Sequence, residues 1–230
     1  MNDHQEKPLW GADNNALVAL MAVNLVIAAG LGFMKVTYYL EGFPIADFQK
    51  EVYQYVVLDP KNIAHTIWTV FSFNWTHDGF WILFTNLFWL LVFGKILQNK
   101  GYNKHLFPLY FYSGLVAGLS YILHKGSSPF LGAQASVLAI AVAAVMTAPK
   151  HQLFPNLAYV IPTWMVFVIY VVLTSIAMIA MPHLIAFSIV LGGMMGLLYV
   201  VLLKKGLDLG KWMHQLIHFI NQSLAPKNNG

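Results

Sequence analysis

The sequence predicts an all-α, polytopic membrane protein built as a bundle of six transmembrane helices. Of its 230 residues, 58% are hydrophobic and only 10% are charged, and the mean hydropathy is +0.62. Apolar runs of about twenty residues recur along the chain, and a helix of that length crosses a hydrocarbon core of about 30 Å. Both observations place the chain among membrane proteins rather than soluble ones.

Six apolar segments are long enough, or nearly so, to cross the bilayer. They are predicted at 16–38, 80–98, 104–123, 134–148, 157–181 and 183–203. This pattern divides the chain into an N-terminal segment at 1–15, a six-helix membrane domain at 16–204 and a tail at 205–230. The longest connection, 40–79, separates the first two spans.

The basic residues predict how the bundle is oriented. Three acids and a single lysine precede the first apolar run, which is not the basic n-region of a signal peptide, so we expect an uncleaved first span. All thirteen basic residues are lysines, and nine of them fall on the side that carries both termini. The positive-inside rule therefore predicts cytoplasmic termini. The net charge of +4 reflects this orientation, and since no basic face exists, no nucleic-acid partner is expected.

Two features mark the long outer connection. Phe48, Val52 and Val56 recur at helical spacing, which predicts a short helix lying in the membrane interface. Three tryptophans lie in the segment 67–81, directly before the second span, as in the aromatic belts of membrane proteins.

Small residues four apart predict which spans lie at the centre of the bundle, because they let helix backbones approach closely. These pairs are Gly114 and Gly118, Ala135 and Ala139, and Gly192 and Gly196. The third, fourth and sixth spans are therefore expected to pack together.

The tail carries an amphipathic pattern that predicts a helix on the cytoplasmic leaflet. Its histidines His214 and His218 have the i, i+4 spacing of metal ligands but lack a third partner in the sequence, so no metal site and no cofactor are expected. The chain contains no cysteine, which excludes disulfides, thiolate metal sites and a cysteine nucleophile.

Four segments in a fixed order carry a resemblance to a known family. They are WTVFSFNWTHDGFWILFTNLFWLLVFGKIL at 68–97, GAQASVLAI at 132–140, LGGMMG at 191–196 and KKGLDLGKW at 204–212. Together they resemble the rhomboid family of intramembrane serine proteases, in its six-helix bacterial form with cytoplasmic termini. The resemblance implies a rhomboid bundle in the inner (plasma) membrane of a bacterium, and a serine endopeptidase family that acts on transmembrane helices.

The residues that would carry the family's chemistry depart from its pattern. The resemblance maps the nucleophilic serine onto Gln134 and the histidine base onto Ile189, or onto Val190 if the register shifts by one. Of the two residues that help to hold the oxyanion, the histidine position is Ile82, whereas Asn86 is present. A carboxamide cannot form an acyl-enzyme, and an aliphatic side chain cannot accept a proton.

Other polar residues could in principle replace the missing pair. Ser136 lies about 200° around a helix from Gln134 and is expected to face away from it, and His183 lies at the outer end of the sixth span. A working dyad from these two is not expected, because a nucleophile and its base must come within hydrogen-bond reach. His77, with Asp78 beside it, is expected to form a polar cap that ties the loop to the second span.

The leading hypothesis is an inactive rhomboid-like pseudoprotease that binds or escorts transmembrane proteins in the bilayer. Asn86, Gln134, His77 and Gly132 would line its binding site, and the two amides could hydrogen-bond one another or a client's unwound backbone. One alternative is an active serine endopeptidase with a non-standard site, using Ser136 or a water held by Gln134. The other is a six-span transporter or channel, which the scarcity of charged residues in the spans disfavours.

Overall fold

The computed structural model describes residues 16–152 and 161–224, and the regular structure of these residues is helical. Its α-helices are α1 (Ala16–Leu40), α2 (Ile45–Glu51), α3 (Thr69–Ser72), α4 (Phe80–Asn99), α5 (Leu106–Leu123), α6 (Gln134–Thr147), α7 (Thr163–Ile179), α8 (His183–Lys204) and α9 (Lys211–Leu224). Short 3-10 turns lie at Tyr53–Tyr55, Phe73–Trp75 and Asn103–His105. The predicted all-α class is confirmed.

The six predicted spans correspond to α1, α4, α5, α6, α7 and α8. Four of the corresponding segments are long and apolar enough to cross a membrane: Ala16–Leu40, Phe80–Asn99, Asn103–Leu123 and His183–Lys204. Gln134–Thr147 and Thr163–Ile179 are shorter apolar helices. At 14 residues, α6 is only about 21 Å long, which is shorter than a hydrocarbon core of about 30 Å. The predicted start of the fifth span, at 157–160, lies outside the described residues.

The small residues bring α8 against α5 and α6, as the sequence predicts. A Cβ atom added to Gly192 would lie 2.7 Å from the carbonyl oxygen of Ser113 and 2.8 Å from the Cβ of Ala135. A Cβ on Gly196 would collide with the backbone of Ala139. The pairs α6 with α8 and α5 with α8 pack more extensively than any other helices of the described chain, which confirms the predicted centre.

The outer helices of the bundle expose most of their side chains to the surroundings. In α1 the buried residues are confined to its first part, at Ala16, Leu17, Leu20 and Asn24, and in α7 they are only Thr163 and Tyr170. Because the surrounding phase of a membrane is itself apolar, such helices need no buried face of their own. The structure thus has a small-residue centre and a lipid-facing periphery.

The outer connection folds as a short helix followed by a turn. The helix predicted around Phe48 to Val56 begins earlier, as α2, directly after Pro44, and gives way to a 3-10 turn. Phe48 is 2% exposed, with ring contacts to Tyr38 and Tyr53. Further along, Leu58 pairs with Phe130 through two backbone hydrogen bonds of 2.9 and 2.8 Å. That bridge joins the outer connection to the loop before α6.

The tail helix α9 begins packed against the bundle. The hydroxyl of Tyr112 in α5 donates a hydrogen bond to the carbonyl of Leu209 at 3.0 Å, and the indole of Trp212 donates one to the same hydroxyl. Met213 is buried, whereas Leu216 and Phe219 are exposed. The side chains predicted further along the apolar stripe, at 217, 220 and 224, lie outside what the structure describes.

Candidate functional site

The turn before α6 fixes the position of Gln134. Gly132 has φ +106°, a left-handed conformation that favours glycine, and its N–H donates a hydrogen bond of 3.0 Å to the carbonyl of Phe73. A Cβ atom on Gly132 would collide with the carboxamide oxygen of Gln134, so the Gln134 side chain folds back over the turn. This oxygen, Oε1, is buried and has no hydrogen-bond partner among the described residues.

Asn86 in α4 presents a second unpaired polar atom. The residue is 7% exposed, and its Nδ2 is buried without a hydrogen-bond partner among the residues that the structure describes. The unpaired atom of Asn86 is thus a donor, and that of Gln134 an acceptor. The hydrogen bond between the two amides that the sequence made possible is not formed.

His77 contributes a third unpaired atom from the loop before α4. Its Nδ1 is 3.2 Å from the carbonyl oxygen of Trp75, and its Nε2 is buried without a partner within the described chain. Burial lowers the pKa of His77 to about 4, so its ring is neutral at pH 7. The backbone carbonyl of His77 accepts a hydrogen bond of 3.3 Å from the Tyr53 hydroxyl, which ties the loop before α4 to the 3-10 turn at Tyr53–Tyr55.

The position onto which the resemblance maps the base is apolar and enclosed. Ile189 is 1% exposed and lies in a buried cluster with Phe73, Phe130 and Ala135. Its neighbour Val190, the alternative position for the base, is 45% exposed. No proton acceptor is available at either position.

Ile82, onto which the resemblance maps the oxyanion histidine, lies near the start of α4 and is 39% exposed. Its aliphatic side chain offers no donor for an oxyanion. Of the two residues mapped to this role, only Asn86 retains a polar group.

The hydroxyl of Ser136 is taken up by packing. The residue is fully buried, and its Oγ donates a 2.6 Å hydrogen bond to the carbonyl of Tyr110 and lies 3.0 Å from Oδ1 of Asn74. His183 is an exposed residue at the first position of α8. The structure therefore does not pair Ser136 with His183 as a dyad.

A serine and a histidine do come close at the C-terminal end of α5. The ring of His124 donates a 2.8 Å hydrogen bond from Nδ1 to the backbone carbonyl of Ser120, and the Ser120 hydroxyl lies 3.4 Å from that of Ser188. The imidazole thus bonds the serine's main chain. The serine hydroxyl bonds a second hydroxyl, which is not an activating base.

One group of potential metal ligands was missed by the sequence reasoning. His105, Asp208 and His214 place one ligand atom each within 4.8 Å of one another. The only sequence signal was the spacing of His214 and His218, and it pointed to a different pair. The sequence pattern did not reveal His105 as a partner of His214, because His105 lies in a distant part of the chain.

These features define a polytopic helical membrane protein with unpaired buried polar atoms at His77, Asn86 and Gln134. The family model of the Rhomboid domain matches residues 64–206, well over half of the chain. The chain belongs to the rhomboid family. No curated protein matches it.

Proposed function

We propose that this rhomboid-family protein is a catalytically inactive pseudoprotease that binds or escorts other transmembrane proteins. One observation carries the proposal: Gln134 occupies the start of α6, where the family resemblance places the nucleophile, and its buried Oε1 has no partner within the described chain. Such an atom is suited to binding and cannot attack a peptide bond.

The surroundings of Gln134 support the absence of catalysis. Acyl transfer needs a base within hydrogen-bond reach of the nucleophile, and the base position is the buried aliphatic side chain of Ile189. The hydroxyl of the alternative nucleophile, Ser136, donates its hydrogen bond to the Tyr110 carbonyl. An active peptidase built on Ser136 would have to break this hydrogen bond and open the packed interface around it.

The unpaired atoms also indicate what a client would offer. A buried donor or acceptor without a partner costs about 1–3 kcal/mol, so a ligand that pairs with it gains that amount. Asn86 Nδ2 can donate to a carbonyl and Gln134 Oε1 can accept from an N–H. Within a membrane, both groups become available where a client helix is locally unwound, as at a glycine or proline.

The proposed setting is the inner membrane of a bacterium, with both termini in the cytoplasm. The distribution of lysines supports this orientation, since nine of the thirteen lie on the side of the termini. Clients would then approach sideways, within the bilayer, as transmembrane helices.

A binding assay in proteoliposomes tests the proposal. The model client is a labelled transmembrane peptide with a central Gly-Pro pair, and binding is followed by energy transfer to the labelled protein. Gln134→Leu and Asn86→Leu are each expected to weaken binding about tenfold, the equivalent of 1.4 kcal/mol. The matched control is Thr85→Val, next to Asn86, because the Thr85 hydroxyl is exposed and bonds only its own helix, at the carbonyl of Trp81.

The same samples show whether the client is cut. Intact client after prolonged incubation, together with the loss of binding in both leucine variants, supports the proposal. Client fragments produced by the wild type, or equal binding by Gln134→Leu, Asn86→Leu and the wild type, would overturn it.

A further inference from the structure

The tail of the chain brings three metal-ligating side chains together at one end of the bundle. His105 lies in the 3-10 turn before α5, Asp208 in the connection after α8, and His214 in the first turn of α9. The Nδ1 of His105 is 3.7 Å from Oδ1 of Asp208, and the Nε2 of His214 is 3.8 Å from Oδ2 of the same carboxylate. Asp208 thus lies between the two imidazoles.

We infer that His105, Asp208 and His214 form a binding site for one divalent transition-metal ion of the zinc class, which fastens the tail helix to the bundle. Two imidazoles and one carboxylate are a donor set that suits such ions. This site is separate from the polar atoms proposed to bind a client.

The spacing of the donors agrees with an ion at their centre. Tetrahedral coordination with bonds of about 2.0–2.2 Å places ligand atoms about 3.4 Å apart. One ligand atom from each residue lies within 4.8 Å of the other two, and the shortest separations, 3.7 Å to Oδ1 and 3.8 Å to Oδ2 of Asp208, approach that spacing. Small side-chain rotations therefore suffice to close the site.

The hydrogen-bonding state of the three residues favours a ligand. His214 Nε2 is buried and has no hydrogen-bond partner among the described residues. The Asp208 carboxylate is held in place by the N–H of Gly210, which donates to Oδ1 at 2.8 Å. At His105, the Tyr199 hydroxyl lies 3.0 Å from Nδ1, and a metal bond would replace this hydrogen bond.

The shell around the donors is tight on one side and open on the other. A Cβ atom on Gly210 would lie 2.8 Å from the Tyr199 hydroxyl and 3.0 Å from His214 Nε2, so only glycine leaves this side free. The side chains of Asp208 and His214 are 25% and 22% exposed. Their exposure gives an ion a path inward and leaves room for water as a fourth ligand.

The consequence for the tail follows from where the donors lie. His105 lies directly before α5 and Asp208 lies in the connection after α8, whereas His214 belongs to α9. A bound ion therefore links α9 directly to the start of α5. Ligand binding to the docked state stabilises it by mass action. The ion would therefore hold the tail helix against the bundle.

Cobalt titration of the purified full-length protein, after chelator treatment, tests the site. The wild type is expected to bind about one equivalent of Co²⁺ with the intense visible absorption of a tetrahedral site, which Zn²⁺ then displaces. Asp208→Asn and His214→Gln are each expected to weaken binding at least tenfold, since changes even to residues behind metal ligands cost about 10–100-fold. Because asparagine has the same shape as aspartate, a loss of Co²⁺ binding in Asp208→Asn reports on the missing carboxylate and not on misfolding.

His218→Gln separates this site from the pair suggested by sequence spacing alone, and it should bind Co²⁺ as the wild type does. Binding lost in His218→Gln but kept in Asp208→Asn would overturn the inference, as would a wild type that shows no tetrahedral absorption. As a second readout, Zn²⁺ should slow tryptic cleavage after Lys211 in the wild type but leave it unchanged in Asp208→Asn. Equal cleavage of the wild type with and without Zn²⁺ would contradict the tail-fastening role.

Discussion

The hydroxyl of Ser136 donates a 2.6 Å hydrogen bond to the backbone carbonyl of Tyr110. This contact determines the role of Ser136, the serine closest to Gln134 along the chain. It joins α6 to α5 inside a buried polar network, in which the Tyr110 hydroxyl donates in turn to Oδ1 of Asn24 at 3.0 Å. Ser136 thus connects helices and does not face an open cavity.

Replacing Ser136 with alanine should lower stability and leave client binding unchanged. The substitution removes one buried hydrogen bond, which contributes about 0.5–1.5 kcal/mol, while the Tyr110 carbonyl keeps a 3.4 Å hydrogen bond from Nδ2 of Asn74. Thermal unfolding in detergent measures the loss, and the energy-transfer assay measures binding. If Ser136→Ala retained full stability but lost binding, Ser136 would belong to the binding site and not to the packing.

Close packing at the centre of the bundle predicts opposite results for two glycines. Gly196→Ala should destabilise the protein by about 1–3 kcal/mol, because the added methyl group meets the backbone of Ala139, which cannot rotate away. Gly32→Ala is the matched control in α1, where nothing lies within 4 Å of the added atom. It should be neutral or slightly stabilising, since alanine favours a helix.

Thermal unfolding of both variants, compared with the wild type, checks this pair. Equal stability of the two variants would mean that α8 and α6 do not approach as closely as described.

Acid should destabilise the protein partly through His77. Burial lowers its pKa from the usual 6.5 to about 4 in the folded state, so between these values the unfolded state binds a proton that the folded state does not. The contribution of the neutral His77 ring to the free energy of unfolding is complete above pH 6.5 and is lost as the pH falls towards 4. It amounts to at most about 3 kcal/mol.

The unfolding temperature measured between pH 7.5 and pH 4.5 checks the contribution of His77. His77→Gln, which cannot ionise, should show a shallower decline than the wild type over this range. Parallel curves for the two proteins would show that His77 is solvated and not buried.

The orientation can be measured with single cysteines, because the natural chain has none. Lys125→Cys, at the outer end of α5, should react with a membrane-impermeant maleimide added to intact cells. Lys100→Cys, at the C-terminal end of α4, is predicted to lie on the cytoplasmic side and should react only after the cells are opened. The reverse pattern would place the termini outside.

The sequence predicts the spans well because each rests on a local signal. Gly132 followed by an apolar run predicts the start of α6 at Gln134, where the structure begins it. At α5 the predicted start, residue 104, falls in a 3-10 turn and the α-helix begins at Leu106, a difference that hydropathy cannot resolve. At its C-terminal end α7 stops at Ile179, before the predicted residue 181, since Pro182 disfavours the helical conformation of the residue before it.

The site is less accessible to sequence reasoning because it depends on tertiary contacts. The residue types at Gln134 and Ile189 are visible in the sequence, but the missing partners of Asn86 and Gln134 are properties of the folded environment. His105 and His214 are 109 residues apart, and no periodicity connects them. Only the docking of α9 brings them together.

The central claim is that a rhomboid bundle with Gln134 at the nucleophile position forms no covalent intermediate. Its most direct test is the intact mass of the purified protein after incubation with an alkyl phosphonate probe, which adds irreversibly to an activated serine. The mass of the wild type is expected to stay unchanged. A mass increased by one phosphonyl group, mapped by peptide sequencing to Ser136 and absent in Ser136→Ala, would contradict it.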